Sequence, residues 1–363
     1  MSSAPLTIAD FETLARQRME PTAYDYYAGA AGDELTATLN CRAFDRLLFR
    51  PHVLVDTSRV DMSTTVLGER LALPILLAPT AFNKLANPDG EVAAARAARA
   101  AGTIMIASTI STCTIEETAA AAPGFLWFQV YVYRDRGVTE ELVRRAEASG
   151  CRALVLTVDA PRLGRRHRDT RNEFTLPDGF GIRNLETCQT VIAGAAAWPH
   201  TSSFAAYVHD LFDASLSWPV VEWLQSITTL PVLLKGIMTA EDARRAADAG
   251  VRGLVVSNHG GRQLDGTLPT IDALAPIVDA VGDRLEVLMD GGIRRGTDVL
   301  KALAIGARAV LVGRAYLWGL AADGERGVRQ VLEILGNDLE LAMALAGRPT
   351  VASIDRSLVT TDR

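Results

Sequence analysis

Eight times between residues 74 and 314, a short aliphatic or β-branched run ends on a polar or conformationally special residue and gives way to a helical stretch. The runs lie at 74–80, 103–108, 126–131, 153–159, 231–235, 253–259, 286–290 and 309–314. Seven are near-continuous apolar segments, the pattern of strands covered on both faces. The third, Leu-Trp-Phe-Gln-Val-Tyr, has polar interruptions. The stretches between them carry helix punctuation. Thr114-Ile-Glu-Glu is an N-cap followed by first-turn acids, and Thr239-Ala-Glu-Asp repeats the device. The stretches at 91–101, 139–149 and 296–305 each stop at a glycine, as does the one opened by Thr239. Eight such units predict a (β/α)8 TIM barrel, because eight parallel strands close on themselves. An open Rossmann-like sheet is disfavoured, since no strand is followed by G-x-G-x-x-G.

At 363 residues the chain is about 110 longer than a minimal barrel of ~250. The excess falls in two places, an N-terminal extension (1–70) and an insertion after strand four (162–226), leaving one decorated domain with its barrel at 71–350. The middle of the insertion, around 193–203, has weak pattern. Loops of this length in compact enzymes are lids or disordered segments.

Composition narrows the class. A chain 48% hydrophobic can bury enough apolar surface to fold, yet its longest apolar stretches fall short of the ~18–20 residues that span a bilayer. Residues 1–5 show no basic start followed by an apolar run, so no secretory signal is expected. The four cysteines form no C-x-x-C. Unpaired thiols in a cytoplasmic setting are the expectation. A net charge of −6 with mixed signs gives no footprint for nucleic acid, and five histidines make a His-rich metal centre hard to build.

Barrel chemistry sits at the C-terminal ends of the strands. Here those ends read Thr80; Ser108; Gln129 and Tyr131; Thr157 and Asp159; Lys235; Ser257-Asn258-His259; Asp290; Gly313-Arg314. Any one of these is ordinary, but all eight converging on one mouth describe a site. His259 is the one histidine at a strand end and suits a general base. Its plain alternative is a loop histidine satisfied by backbone. Asp159 can orient it and stabilise its imidazolium. Arg262, three residues on, is placed to hold an anion beside that base. The run Arg162-Leu-Gly-Arg-Arg-His-Arg-Asp reads either as a solvated charge run or as the source of one inward arginine that clamps a carboxylate. Glycine-rich loops after strands seven and eight, with Gly291, Gly292 and Gly313 beside Arg294 and Arg314, match the usual phosphate site of this fold.

These residues resemble the FMN-dependent L-2-hydroxy acid oxidase/dehydrogenase family. The matching segments are Tyr24-Asp-Tyr-Tyr-Ala-Gly-Ala, Pro79-Thr-Ala, Phe128-Gln-Val-Tyr-Val-Tyr, 157–166, Leu234-Lys-Gly, Ser-Asn-His-Gly-Gly-Arg-Gln-Leu-Asp at 257–265, Asp290-Gly-Gly-Ile-Arg-Arg-Gly and Gly313-Arg. The resemblance as a whole covers the chain from about residue 8 to 350.

The resemblance implies FMN as cofactor. Pro79, Thr80 and Ala81 would lie along the flavin, and Ser108, Gln129 and Thr157 would hydrogen-bond its ring. Lys235 would sit near N1 and O2, with Ser257 in the cofactor set. Asp290, Gly292, Arg294, Gly313 and Arg314 would take the ribityl phosphate.

It also implies that Tyr26, Arg166 and Arg262 hold a substrate carboxylate, that Tyr131 bonds the substrate hydroxyl, and that His259 is the base paired with Asp159. The implied reaction oxidises an (S)-2-hydroxy acid to a 2-oxo acid, with O2 taking the electrons and forming hydrogen peroxide. His259 would take either the α-proton or the hydroxyl proton. Glycolate oxidases carry a tryptophan in the loop after strand two where this chain has Ile110. The pocket walled by Ile110, Leu163 and Phe82 should therefore admit a side chain larger than that of glycolate, as in lactate, longer aliphatic acids or mandelate.

The rival within the family is a dehydrogenase handing electrons to a quinone or another acceptor. The residues at 178–218 are polar and patchy rather than an anchor, and Ala81 rather than glycine beside the flavin resembles the oxidases. A flavin-free lyase using Lys235 as a Schiff base is a rival from another class, and a non-catalytic binding protein a third. The family also implies a homotetramer or homo-octamer, for which Trp218 and Trp223 could serve as contacts or equally as core.

Overall fold

A computed structural model describes residues 4–188 and 211–361. Its centre is a closed barrel of eight parallel strands: β1 (Ile75–Leu77), β2 (Met105–Ser108), β3 (Leu126–Val130), β4 (Leu154–Thr157), β5 (Val232–Ile237), β6 (Gly253–Val256), β7 (Glu286–Asp290) and β8 (Ala309–Val312). Each strand pairs with its neighbours in sequence, and β8 closes on β1 through Val310, Leu311 and Val312 against Ile75, Leu76 and Leu77. All eight expected strands are present.

The period-2 alternation divides the strand residues between two cores. Leu76, Ile106, Trp127, Val155, Leu233, Val255, Leu288 and Leu311 fill the barrel interior. Val66 and Leu71, from the hairpin Thr64–Val66/Glu69–Leu71, join this inner cluster. The alternate residues, such as Ile75, Leu77, Phe128 and Leu156, pack outward against the helices.

Helix ends follow their sequence signals. Thr114 and Glu117 form the expected capping box, and the Thr239 hydroxyl caps Ala240–Asp248. The helix expected from 139 instead begins at Arg136, because the Asp135 carboxylate accepts from Gly137 N–H and caps it earlier. The N-terminal helix Ile8–Arg18 buries Ile8, Phe11 and Ala15. The final helix, Arg314–Leu345, bends at Asp323–Gly324, where the backbone leaves helical geometry.

Only β7 matches its sequence run end to end; for three of the seven strands that differ, the local reason is plain. β1 stops at Leu77, short of Pro79, which has no N–H to donate. β5 runs on to Ile237 through a bulge at Gly236. β6 ends at Val256, and the next turn places His259 at φ 59, a left-handed conformation unusual for a non-glycine residue. The weakly patterned segment at 193–203 lies outside the described residues.

Candidate active site

The mouth of the barrel is an open cleft lined from all eight strands, six by residues of the strand itself and β1 and β6 through the loops that follow them. Most residues singled out from sequence line it: Tyr26, Pro79, Thr80, Ala81, Ser108, Ile110, Gln129, Tyr131, Thr157, Leu163, Arg166, Lys235, His259, Arg262, Asp290, Gly292, Arg294, Gly313 and Arg314.

His259 and Asp159 come from the ends of β6 and β4, with Nδ1 2.9 Å from Oδ1. Nδ1 is thereby engaged, and Nε2 remains as the second ring nitrogen. Burial lowers the histidine pKa and Lys235 adds to this, while Asp159 partly offsets it; the net shift is downward. Burial alone would raise Asp159, but the neighbouring His259 and Lys235 hold it below the ordinary carboxylate value. Gly236, at φ +111, lets the β5 bulge pass beneath this pair: a Cβ there would lie 2.6 Å from Asp159 Cβ.

Lys235 is 4% exposed. Its Nζ lies 3.1 Å from Asp290 Oδ2 and 2.8 Å from Ser257 Oγ. Burial opposes its charge, yet Asp290 and Asp159 keep its pKa raised. Ser257 does not reach the cleft. It is fully buried, and its hydroxyl accepts from Lys235 and from the His259 N–H, so it sits behind both.

The arginines divide by what they bind. Arg166 is 5% exposed, with Nε and Nη1 unpartnered and Asp169 no closer than 3.8 Å. Burial and the nearby Arg262 lower its pKa to about 10, which leaves it charged at neutral pH. Arg262 lies under the Tyr26 ring, 5.0 Å from its centroid, and donates through Nη1 to the carbonyls of Tyr26 and Gly29. Arg314 is a strut between loops. It donates from Nε to Tyr27 O, from Nη1 to Gly260 O and from Nη2 to Gly29 O. Burial lowers its pKa to about 9.

Tyr131 stacks on Phe212 at 4.5 Å, and burial raises its phenol pKa. Tyr26 stacks on Phe174 at 4.6 Å. The expected apolar wall needs one correction. Phe82 is fully buried and backs Tyr26 from 5.9 Å, because its left-handed φ of 58 turns it into the core. Ile110, Leu163 and Phe212 form the wall instead.

Residues to which sequence reasoning gave no role hold these parts in place, three of them, Asn258, Gln263 and Asp265, inside the 257–265 segment. Asn40 and Asn258 exchange reciprocal amide hydrogen bonds, each 2.9 Å, which dock the extension on the β6 loop. Asp265 accepts from the N–H groups of Asp33 and Thr36 and so caps the helix Leu35–Arg42. Gln263 Nε2 donates to Asp159 O and Arg162 O, tying the start of the insertion to the base loop. Glu91, fully buried, accepts from Asn83 N–H, Thr112 N–H and the Thr112 hydroxyl, stitching the β1 and β2 loops together. Their partners are 8 to 232 residues away in the chain, so no local pattern reveals them.

Whether FMN fits is decided by the groups left unsatisfied. Gln129 Nε2 is a buried donor with no partner, and Asp290 Oδ1 a buried acceptor with none. Buried polar groups are normally satisfied, so the cleft calls for a ligand with ring carbonyls at one end and hydroxyls further along. Gly292, at φ +82, permits a turn in which any Cβ would strike Asn40 O at 2.2 Å. That turn brings backbone, and Arg294 beside it, to the far end of the cleft. The helix Arg314–Leu345 begins at the same end and aims the positive end of its dipole there. This donor set suits a phosphorylated, polyhydroxylated heterocycle, and FMN meets it. Among the described residues, no group of three or more His, Cys, Asp or Glu could hold a metal, and no helix is long and apolar enough to cross a membrane.

Comparison with known proteins agrees with this geometry. A sequence model described as FMN-dependent dehydrogenase matches residues 15–361. Glycolate oxidase 3 of Arabidopsis thaliana is 51% identical over 355 residues, covering 98% of this chain and 96% of the relative. Glycolate oxidase of Spinacia oleracea is 48% identical, covering 98% and 95%. A solved mandelate oxidase with (S)-4-hydroxymandelic acid superposes with a TM-score of 0.92 at 45% identity, covering 99% of each chain.

Proposed function

The chain belongs to the FMN-dependent dehydrogenase family, and on that premise we propose that it oxidises an (S)-2-hydroxy acid bulkier than glycolate to the 2-oxo acid and reduces O2 to hydrogen peroxide. The observation that carries this reading is the convergence in one cleft of His259, held from behind by Asp159, with Arg166, whose buried Nε and Nη1 have no hydrogen-bond partner.

Bound FMN supplies the two-electron acceptor. Ser108, Gln129, Thr157 and the 79–81 backbone would hold its ring, Asp290 its hydroxyls, and Gly292, Arg294, Gly313 and Arg314 its phosphate. Arg294 carries the larger share of that charge, because three N–H groups of Arg314 are already engaged. Lys235, kept charged by Asp290, sets a positive charge beside the ring.

The remaining work belongs to the protein. Arg166 and Arg262 hold the substrate carboxylate, with Tyr26 over Arg262. Tyr131 bonds the hydroxyl. His259 Nε2 accepts the substrate proton, and Asp159 fixes the tautomer that leaves Nε2 free and stabilises the imidazolium. Burial that lowers the His259 pKa keeps the base neutral at pH 7. Ile110, Leu163 and Phe212 take the side chain, and a smaller residue at 110 leaves room for it.

The test is direct. Purified protein is expected to be yellow, to bleach anaerobically with 2-hydroxy acids larger than glycolate, and to form peroxide when air is admitted. A colourless protein, or no bleaching with any 2-hydroxy acid, overturns the reading. Bleaching without peroxide points to an acceptor other than O2.

A further inference from the structure

A second cavity lies beside the reactant cleft, between the ends of β3, β4 and β5 and the helix Pro219–Ser226. Its walls are largely apolar, with Leu216, Trp218, Val220, Val221 and Ile237 among them. Four residues, Tyr131, Thr157, Ala160 and Phe212, line both spaces. Tyr131 and Thr157 have their own parts in the cleft and Ala160 presents only a methyl group. Among the described residues of the partition, Phe212 is the bulky side chain whose contribution is purely apolar.

The fold places Phe212 deliberately. As the chain returns from the insertion it pairs with the end of β3: Phe212 bridges to Tyr133, Arg134 N–H donates to Leu211 O, and Asp213 N–H donates to Val132 O. Arg136 fixes the segment by an ion pair to Asp213 at 2.8 Å. This register lays the Phe212 ring flat on Tyr131, 4% exposed.

We propose that Phe212 is a specificity-determining residue: its ring seals the reactant cleft from the second cavity and thereby sets the upper limit on the side chain of the 2-hydroxy acid. The natural substrate class is then a 2-hydroxy acid with a compact aliphatic or single-ring side chain. Chains long enough to pass the ring plane are excluded although an apolar chamber lies behind it. This inference rests on the function proposed above.

The test compares kcat/KM for lactate and 2-hydroxyoctanoate in the FMN-loaded wild type, F212A and F212L. The affinity of 2-oxooctanoate is measured by calorimetry alongside. F212A is expected to raise the octanoate-to-lactate ratio at least about tenfold, the lower end of the roughly 10–200-fold that one methylene is worth in an apolar pocket, and to tighten 2-oxooctanoate by a similar factor. F212L should lie between. Adding L216W, which refills the second cavity, should cancel the gain. Because Phe212 also supports Tyr131, kcat is expected to fall for every acid alike, so the ratio and the 2-oxooctanoate affinity are the readouts. If neither moves in F212A and F212L, or the gain survives L216W, the partition is overturned. Wild-type inactivity toward both acids is a different failure, that of the proposed function.

Discussion

Asp159 and His259 stand 100 residues apart in the chain and 2.9 Å apart in space, with the carboxylate on Nδ1. One contact therefore leaves Nε2 as the imidazole nitrogen open to the proton in the proposed reaction. Replacing His259 by Gln removes the proposed base and keeps much of its shape. H259Q is expected to lose turnover by ~10²- to 10⁴-fold or more while retaining bound FMN, measured by absorbance and stopped-flow reduction. Substantial turnover in H259Q rejects the assignment.

The pH profile follows from the direction of the His259 shift. Burial places its pKa below the ordinary value of 6.5, and the neutral form is the base. Activity should therefore be flat through neutrality and fall on the acid side below 6.5. Asp159 raises the His259 pKa, so D159N should move the acid limb of kcat/KM to still lower pH while depressing its plateau. A limb that moves upward in D159N contradicts the pairing.

Arg262 combines a charge with a planar fork bound to the carbonyls of Tyr26 and Gly29. Lysine keeps the charge and loses the fork. R262K is expected to raise KM and lower kcat, together costing about 1.5–3 kcal/mol, or roughly ten- to hundredfold in kcat/KM. Unchanged kinetics remove Arg262 from the carboxylate clamp.

Ile110 is 3% exposed and lines the cleft wall. I110W should restore a small pocket and shift selectivity toward glycolate over mandelate by ~1–3 kcal/mol. Measured ratios of kcat/KM decide it: a wild type that already prefers glycolate strongly, or a variant with the same ratio, refutes the size argument.

Gly236 carries a φ of +111 beneath Asp159. G236A forces a methyl into the Asp159 side chain and a strained backbone, a cost of ~1–3 kcal/mol. Thermal unfolding should register that loss, and kcat should fall further than stability alone explains because Asp159 is displaced. A variant that melts early but turns over normally denies Gly236 any link to the base.

Much of this molecule is written locally. Strand-length apolar runs, capping residues and stop glycines act within a few positions of themselves, which is why eight strands and the helices between them could be read in order. The strand-end residues are legible for the same reason: once the barrel is recognised, its geometry sends them to one mouth. The roles beyond His259, Asp159 and the anion sites came from a family resemblance, whose specificity lies in Ser-Asn-His-Gly-Gly-Arg-Gln-Leu-Asp at 257–265.

Sequence alone therefore determined the barrel and most of the residues that line its mouth. Tertiary structure decided how those members are employed. It withdrew Phe82 from the wall through a left-handed turn, placed Ser257 behind Lys235 and His259, and bound Arg314 to three backbone carbonyls. It also brought in Asn40, Glu91 and Phe212, which no motif announces. The physical reason is range: periodicity and capping depend on neighbours a turn away, whereas hydrogen-bond satisfaction and ring stacking depend on groups that meet only when the chain has closed.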